Sequence, residues 1–112
     1  MINIVLFVKD FEKGTELSDH LTAIDIKVAF AESIRDLPDQ CQIGIVDLDD
    51  EKFGDVHFIS ELNSQTKMTI LGYMEKMHKN SLDKLKAAGC DLVLSKASIV
   101  KNIQSLVKEI LK

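Results

Sequence analysis

Five short apolar runs punctuate the chain: Ile2–Val8, Ile26–Phe30, Ile43–Leu48, Met68–Leu71 and Leu92–Leu94. They are rich in Val, Ile and Leu and mostly lack polar alternation, the pattern of strands buried on both faces of a parallel sheet. Amphipathic stretches separate them. The last is the clearest, with Ile99/Val100, Ile103, Leu106/Val107 and Ile110/Leu111 at spacing 3–4 and Ser98 as a plausible N-cap. Leu82, Leu85 and Ala88 mark a helix over 81–88 that opens at Asn80 or Ser81 and stops at Gly89. Phe53, Val56, Ile59 and Leu62 form another stripe. Phe11, Leu17 and Leu21 carry a weaker helix over about 11–22, with Gly14 inside it at a cost of roughly 1 kcal/mol. A second helix, over about 31–36, has barely two turns before Pro38.

This (βα)5 alternation predicts an α/β fold with right-handed crossovers and helices on both faces. Five strands are too few for a barrel, so the expected architecture is flavodoxin-like, a five-stranded parallel sheet in the order 2-1-3-4-5. Ligands in such sheets sit outside the carboxyl ends of the strands, where the order reverses between strands 1 and 3. A burst of acid, Asp47, Asp49, Asp50 and Glu51, falls at that point, beside Lys9 and Asp10. The burst reads either as a solvated turn after a core strand or as a carboxylate site for a cation or a phosphoryl group.

Composition narrows the choice. The 112 residues predict a single domain over 1–112 with no attached effector domain, and 46% apolar with 29% charged residues is ordinary for a globular protein. No apolar run approaches the roughly 18 residues of a membrane span, and no signal peptide is evident, so a cytoplasmic location is expected. Cys41 and Cys90 lack metal-type spacing and read as buried free thiols; His20, His57 and His78 are scattered. Residues 1–56 carry 13 acids and 5 bases, residues 57–112 carry 5 acids and 9 bases. That mild basic bias lacks arginine and aromatic interleaving, so neither nucleic acid nor a membrane is expected as a partner.

Across nearly its whole length the sequence resembles the receiver domain of bacterial response regulators. The segment "PDQCQIGIVDLDD" is similar to the family's approach to strand 3, with Asp47 at the phosphoacceptor. "NIVLFVKDFEKG" aligns with strand 1 and its acidic pair, "TILGYM" with strand 4, and "AAGCDLVLSK" with the run into strand 5 that ends on the family's lysine, here Lys96. The resemblance implies a stand-alone domain of two-component phosphorelay signalling, not an enzyme. Asp47 would take a phosphoryl group from a histidine kinase, and Lys96 would contact it. A magnesium ion, weakly held, would rest on Asp10, Asp47 and the backbone carbonyl of Asp49.

Four positions depart from the family's pattern. Lys9 replaces the first acid, Gly72 stands where a Thr or Ser is expected, Val93 replaces the aromatic switch and Ala97 replaces a proline. Lys9 could therefore join Lys96 in an ion pair with the pocket carboxylates, which leaves a phosphorylation-independent pseudo-receiver, a protein-interaction module, as the alternative. The expected partners are a sensor histidine kinase or a downstream signalling protein. A second copy of the chain could pair through the family's helix 4–strand 5–helix 5 face. The loop 72–80, with Tyr73, Met74, Met77 and His78, is a further candidate partner surface. A remote alternative is a haloacid-dehalogenase-like phosphatase built on "DLD". Against it, the motif follows a whole βαβα, the chain is short for that core, and no acidic pair follows Lys96.

Overall fold

The structure, a computed structural model, describes residues 2–38 and 40–112. Five strands form one parallel sheet: β1 Ile4–Phe7, β2 Val28–Phe30, β3 Ile43–Asp47, β4 Thr69–Met74 and β5 Leu92–Ser95. Their order is β2-β1-β3-β4-β5, so the expected reversal point lies between β1 and β3. Among the described residues four helices cover the sheet: α1 Phe11–Thr22, α2 Val56–Gln65, α3 Lys79–Ala88 and α4 Lys96–Ile110. Alternate strand residues serve opposite layers. Ile4, Leu6, Ile43, Ile45, Leu71 and Tyr73 pack under α1 and α4 with Leu17, Leu21, Ile99, Ile103 and Val107. Val5, Phe7, Val46, Ile70 and Val93 pack under α2 and α3 with Ile59, Leu62 and Leu85.

Four expectations need correction. The helix expected over about 31–36 is a single 3-10 turn, Ile34–Asp36. The Asp36 carboxylate accepts from the Glu32 N–H and the Ser33 hydroxyl, a local bond that competes with helical pairing, and Pro38 biases Leu37 away from helix. Phe11 begins α1 but points outward, 86% exposed, while Gly14 takes the buried position against the Phe30 ring. The N-cap of α4 is Ser95, whose hydroxyl accepts from the Ser98 N–H at 3.2 Å, so the cap lies three residues before the expected one. Finally, β4 runs on through Gly72, Tyr73 and Met74, all buried. Only the later part of the expected 72–80 loop is exposed, including Met77 and His78.

Gly89 and Gly72 are both required by geometry. Gly89 ends α3 at φ 129°, and a Cβ there would also collide with Asn63. A Cβ on Gly72 would lie 2.4 Å from Leu48 Cδ1 and 3.1 Å from Cys90 Sγ. Gly72 thus makes room for Leu48 on the α2–α3 side of the sheet.

Candidate functional site

Asp47 is the last residue of β3, and its side chain shares the α1–α4 face with Ile43 and Ile45. It is 7% exposed, the only charged residue in the core among the described residues. Its Oδ1 accepts from the Asp49 N–H at 3.1 Å, a bond that closes the chain's exit from the strand. Burial pushes the carboxyl pKa up; the Asp49 N–H and the charge of Lys96 oppose the shift, while the charges of Asp49 and Asp50 add to it.

The other acids of the burst have different work. Asp49 Oδ2 accepts from the Glu75 N–H at 2.9 Å and ties the end of β4 to this loop. Asp50 Oδ2 accepts from the Lys52 and Phe53 N–H groups at 3.0 and 3.1 Å, while the Gly54 N–H donates to its carbonyl at 2.8 Å. The loop is tight enough that a Cβ at Gly54 would overlap the Leu48 carbonyl. Glu51 is exposed. The three aspartates therefore all satisfy backbone donors, and only Asp47 does so from within the core.

Asp10 is the N-cap of α1, with Oδ1 accepting from the Lys13 N–H at 3.2 Å. Its Oδ2 lies 3.1 Å from Lys96 Nζ. The Lys96 ammonium holds the Asp10 carboxyl below the usual carboxylate value, and Asp10 raises Lys96 in turn. Because β3 and β4 lie between β1 and β5, this ion pair crosses the carboxyl ends of both central strands. A cleft of about 250 Å³ opens beside it, lined by Asp10, Glu12, Lys13, Glu16 and Lys96.

Lys9 takes a different course from the one its position suggests. Its Nζ lies 3.8 Å from Asp50 Oδ1 and 5.7 Å over the Phe53 ring, with the side chain 56% exposed. It pairs at the rim with Asp50 rather than with Asp10 or Asp47. The structure thus gathers Asp10, Asp47 and Lys96 at the carboxyl edge, leaves the Asp49 carboxylate on Glu75, and turns Lys9 aside.

The residue missed in the sequence is Tyr73. The β3–β4 register sets Asp47 against Tyr73, and Gly72 against Val46. Tyr73 therefore stands beside Asp47, with Gly72 facing the other layer. Tyr73 is fully buried, and among the described residues its Oη is the buried side-chain polar atom without a hydrogen-bond partner. Burial first, then the charges of Asp47, Asp10 and Asp49, and last the close approach of the Asp47 carboxylate, raise the phenol pKa far above its ordinary value. The available signal was the apolar run itself, which continues past Leu71 into Tyr73 and Met74.

For a hard cation the donor set is thin. Among the described residues no three His, Cys, Asp or Glu side chains converge at metal-ligand spacing. Two carboxylates, Asp10 and Asp47, with the Asp49 carbonyl supply oxygens of the right chemistry, since magnesium commonly rests on one or two carboxylates and keeps its waters. Lys96 competes for one of them.

No protein-family model matches the chain, and no curated protein matches it by sequence. Solved structures do match in fold. A two-component response regulator from Clostridium difficile superposes with a TM-score of 0.84 at 15% identity, covering 99% of this chain and 96% of that one. A Vibrio cholerae chemotaxis protein gives 0.82 at 15% identity, with 98% of each chain covered. An orphan response regulator of H. pylori gives 0.81 at 15% identity, covering 99% and 97%. The chain has the flavodoxin-like fold of response-regulator receiver domains over essentially its full length.

Proposed function

We propose that this chain is a receiver-type signalling domain of a phosphorelay and that Asp47 is its phosphoacceptor. The observation that carries the reading is the burial of one carboxylate at the carboxyl end of the central strand, with Asp10 and Lys96 beside it. Oδ1 is held by the Asp49 N–H, which leaves Oδ2 as the attacking atom. A new P–O bond forms there as the P–N bond of a donor phosphohistidine breaks, and the freed imidazole keeps the electron pair. Such a transfer asks the protein mainly for alignment and charge neutralisation. Lys96 moves from Asp10 to the phosphoryl oxygens and supplies part of that charge. A magnesium ion held by Asp10, Asp47 and the Asp49 carbonyl would supply the rest.

The partners of this reading are a histidine kinase and a downstream protein. A second copy docks on the α3–β5–α4 face, where Leu92 is exposed; a concentration-independent monomer in sedimentation would refute that contact. The alternative, a phosphorylation-independent interaction module, draws support from the double engagement of Asp10 by its cap bond and by Lys96. Amide NMR in millimolar magnesium with beryllofluoride separates the two. Shifts centred on Asp10, Asp47 and Lys96, absent in Asp47→Asn, support phosphoacceptance; an unchanged spectrum leaves the interaction module. Turnover of a generic phosphomonoester, lost in Asp47→Asn, would instead revive the phosphatase reading.

A further inference from the structure

Tyr73 is unexplained by packing alone. Its ring belongs to the α1–α4 layer with Ile99, Ile103 and Val107, yet its hydroxyl is buried with no partner among the described residues. An unsatisfied buried hydroxyl costs on the order of 1–3 kcal/mol, and a phenylalanine would avoid that cost. Such groups call for a specific explanation, which here lies in the surroundings. Asp47 is the register neighbour of Tyr73 on the same face, and the Lys96–Asp10 pair crosses the ends of both strands. A phenol carries its proton at neutral pH and can donate it, and the strand register sets the Asp47 carboxylate beside it.

We propose that Tyr73 senses what Asp47 carries: its hydroxyl donates to the anionic group on Asp47, and its ring passes the change to α4. This rests on Asp47 as the phosphoacceptor and adds the route by which the modification leaves the site. Two links reach α4 at once. Lys96, the first residue of that helix, exchanges Asp10 for the new anion, and Tyr73 adjusts against Ile99 and Ile103 beneath it. Val93, by contrast, packs in the opposite layer and presents no polar atom to the site.

The sequence makes the test clean, because the chain has one tyrosine and no tryptophan. Tyrosine emission of the full chain therefore reports Tyr73 alone. On titration with beryllofluoride in magnesium, the emission should change with the same midpoint as the Asp47 amide shift. Tyr73→Phe should bind beryllofluoride about tenfold more weakly, the loss of one hydrogen bond, with smaller shifts along α4. Its thermal unfolding should match or exceed wild type. Amide shifts at Asp10, Asp47 and Lys96 with constant tyrosine emission and unimpaired binding by Tyr73→Phe would overturn the sensor while leaving Asp47 its role. If neither signal moves, both proposals fall. Should Tyr73→Phe not fold, the wild-type emission decides.

Discussion

Asp47 and Gly72 make opposite demands on their surroundings, and both demands can be measured. The folded state holds a carboxylate in a place that disfavours its charge, so the Asp47 pKa lies above the unfolded value near 3.8. For an acid shifted upward, stability falls as pH rises past that value, because the native state gives up its proton at a higher pH than the unfolded chain does. Asp47→Asn removes the charge and keeps an oxygen for the Asp49 N–H. We expect it to stabilise the protein at neutral pH by on the order of 1 kcal/mol, with the gain gone near pH 3, where wild-type Asp47 is neutral in both states. Chemical denaturation at the two pH values measures the difference. Gly72→Ala should cost roughly 1–3 kcal/mol, because its methyl must displace Leu48 from a packed layer. An additional truncation of Leu48 should recover part of that loss; strict additivity of the two changes would count against the overlap.

At the scale of the element, the early start of α4 is the departure that matters most. Ser95 ends β5 and caps α4 in one residue, so no loop separates strand from helix and Lys96 is fixed at the first helical position. Ser95→Ala should lower stability by about 1 kcal/mol and weaken the link between Lys96 and Asp10, visible in NMR as Lys96 side-chain shifts that move toward those of an unpaired lysine. Helix α1 offers a paired test of orientation. Phe11→Ala should change stability by less than about 0.5 kcal/mol, whereas Leu17→Ala should cost about 2–5 kcal/mol. A large loss at Phe11 would contradict its outward position. The stripe of α1 misled because helical spacing places Phe11 with Leu21 only if the first turn reaches the sheet, and here that turn stands at the rim beside Asp10.

Across the whole molecule, strand order and layering were legible because continuous apolar runs such as Ile43–Val46 have only one stable environment. That Asp10 and Lys96 meet at one edge followed from that order. Three things were not legible. The register that sets Tyr73 rather than Gly72 against Asp47 depends on where β4 stops, and a buried tyrosine resembles a surface one in sequence. The course of Lys9 depends on the Phe53 ring and the Asp50 loop, which are distant from it along the chain. The loss of the second helix turned on the Asp36 carboxylate finding local donors. That last loss also sets a timescale. Strand β2 is three residues long and pairs on one side only, with β1. Its crossover to β3 carries one 3-10 turn where a helix would have clamped it. Backbone amides that β2 and β1 share should therefore exchange with deuterium through local opening, well before those between β1, β3 and β4. The molecule should unzip from that edge inward, and the carboxyl edge that holds Asp47 should be among the last places where solvent deuterium arrives.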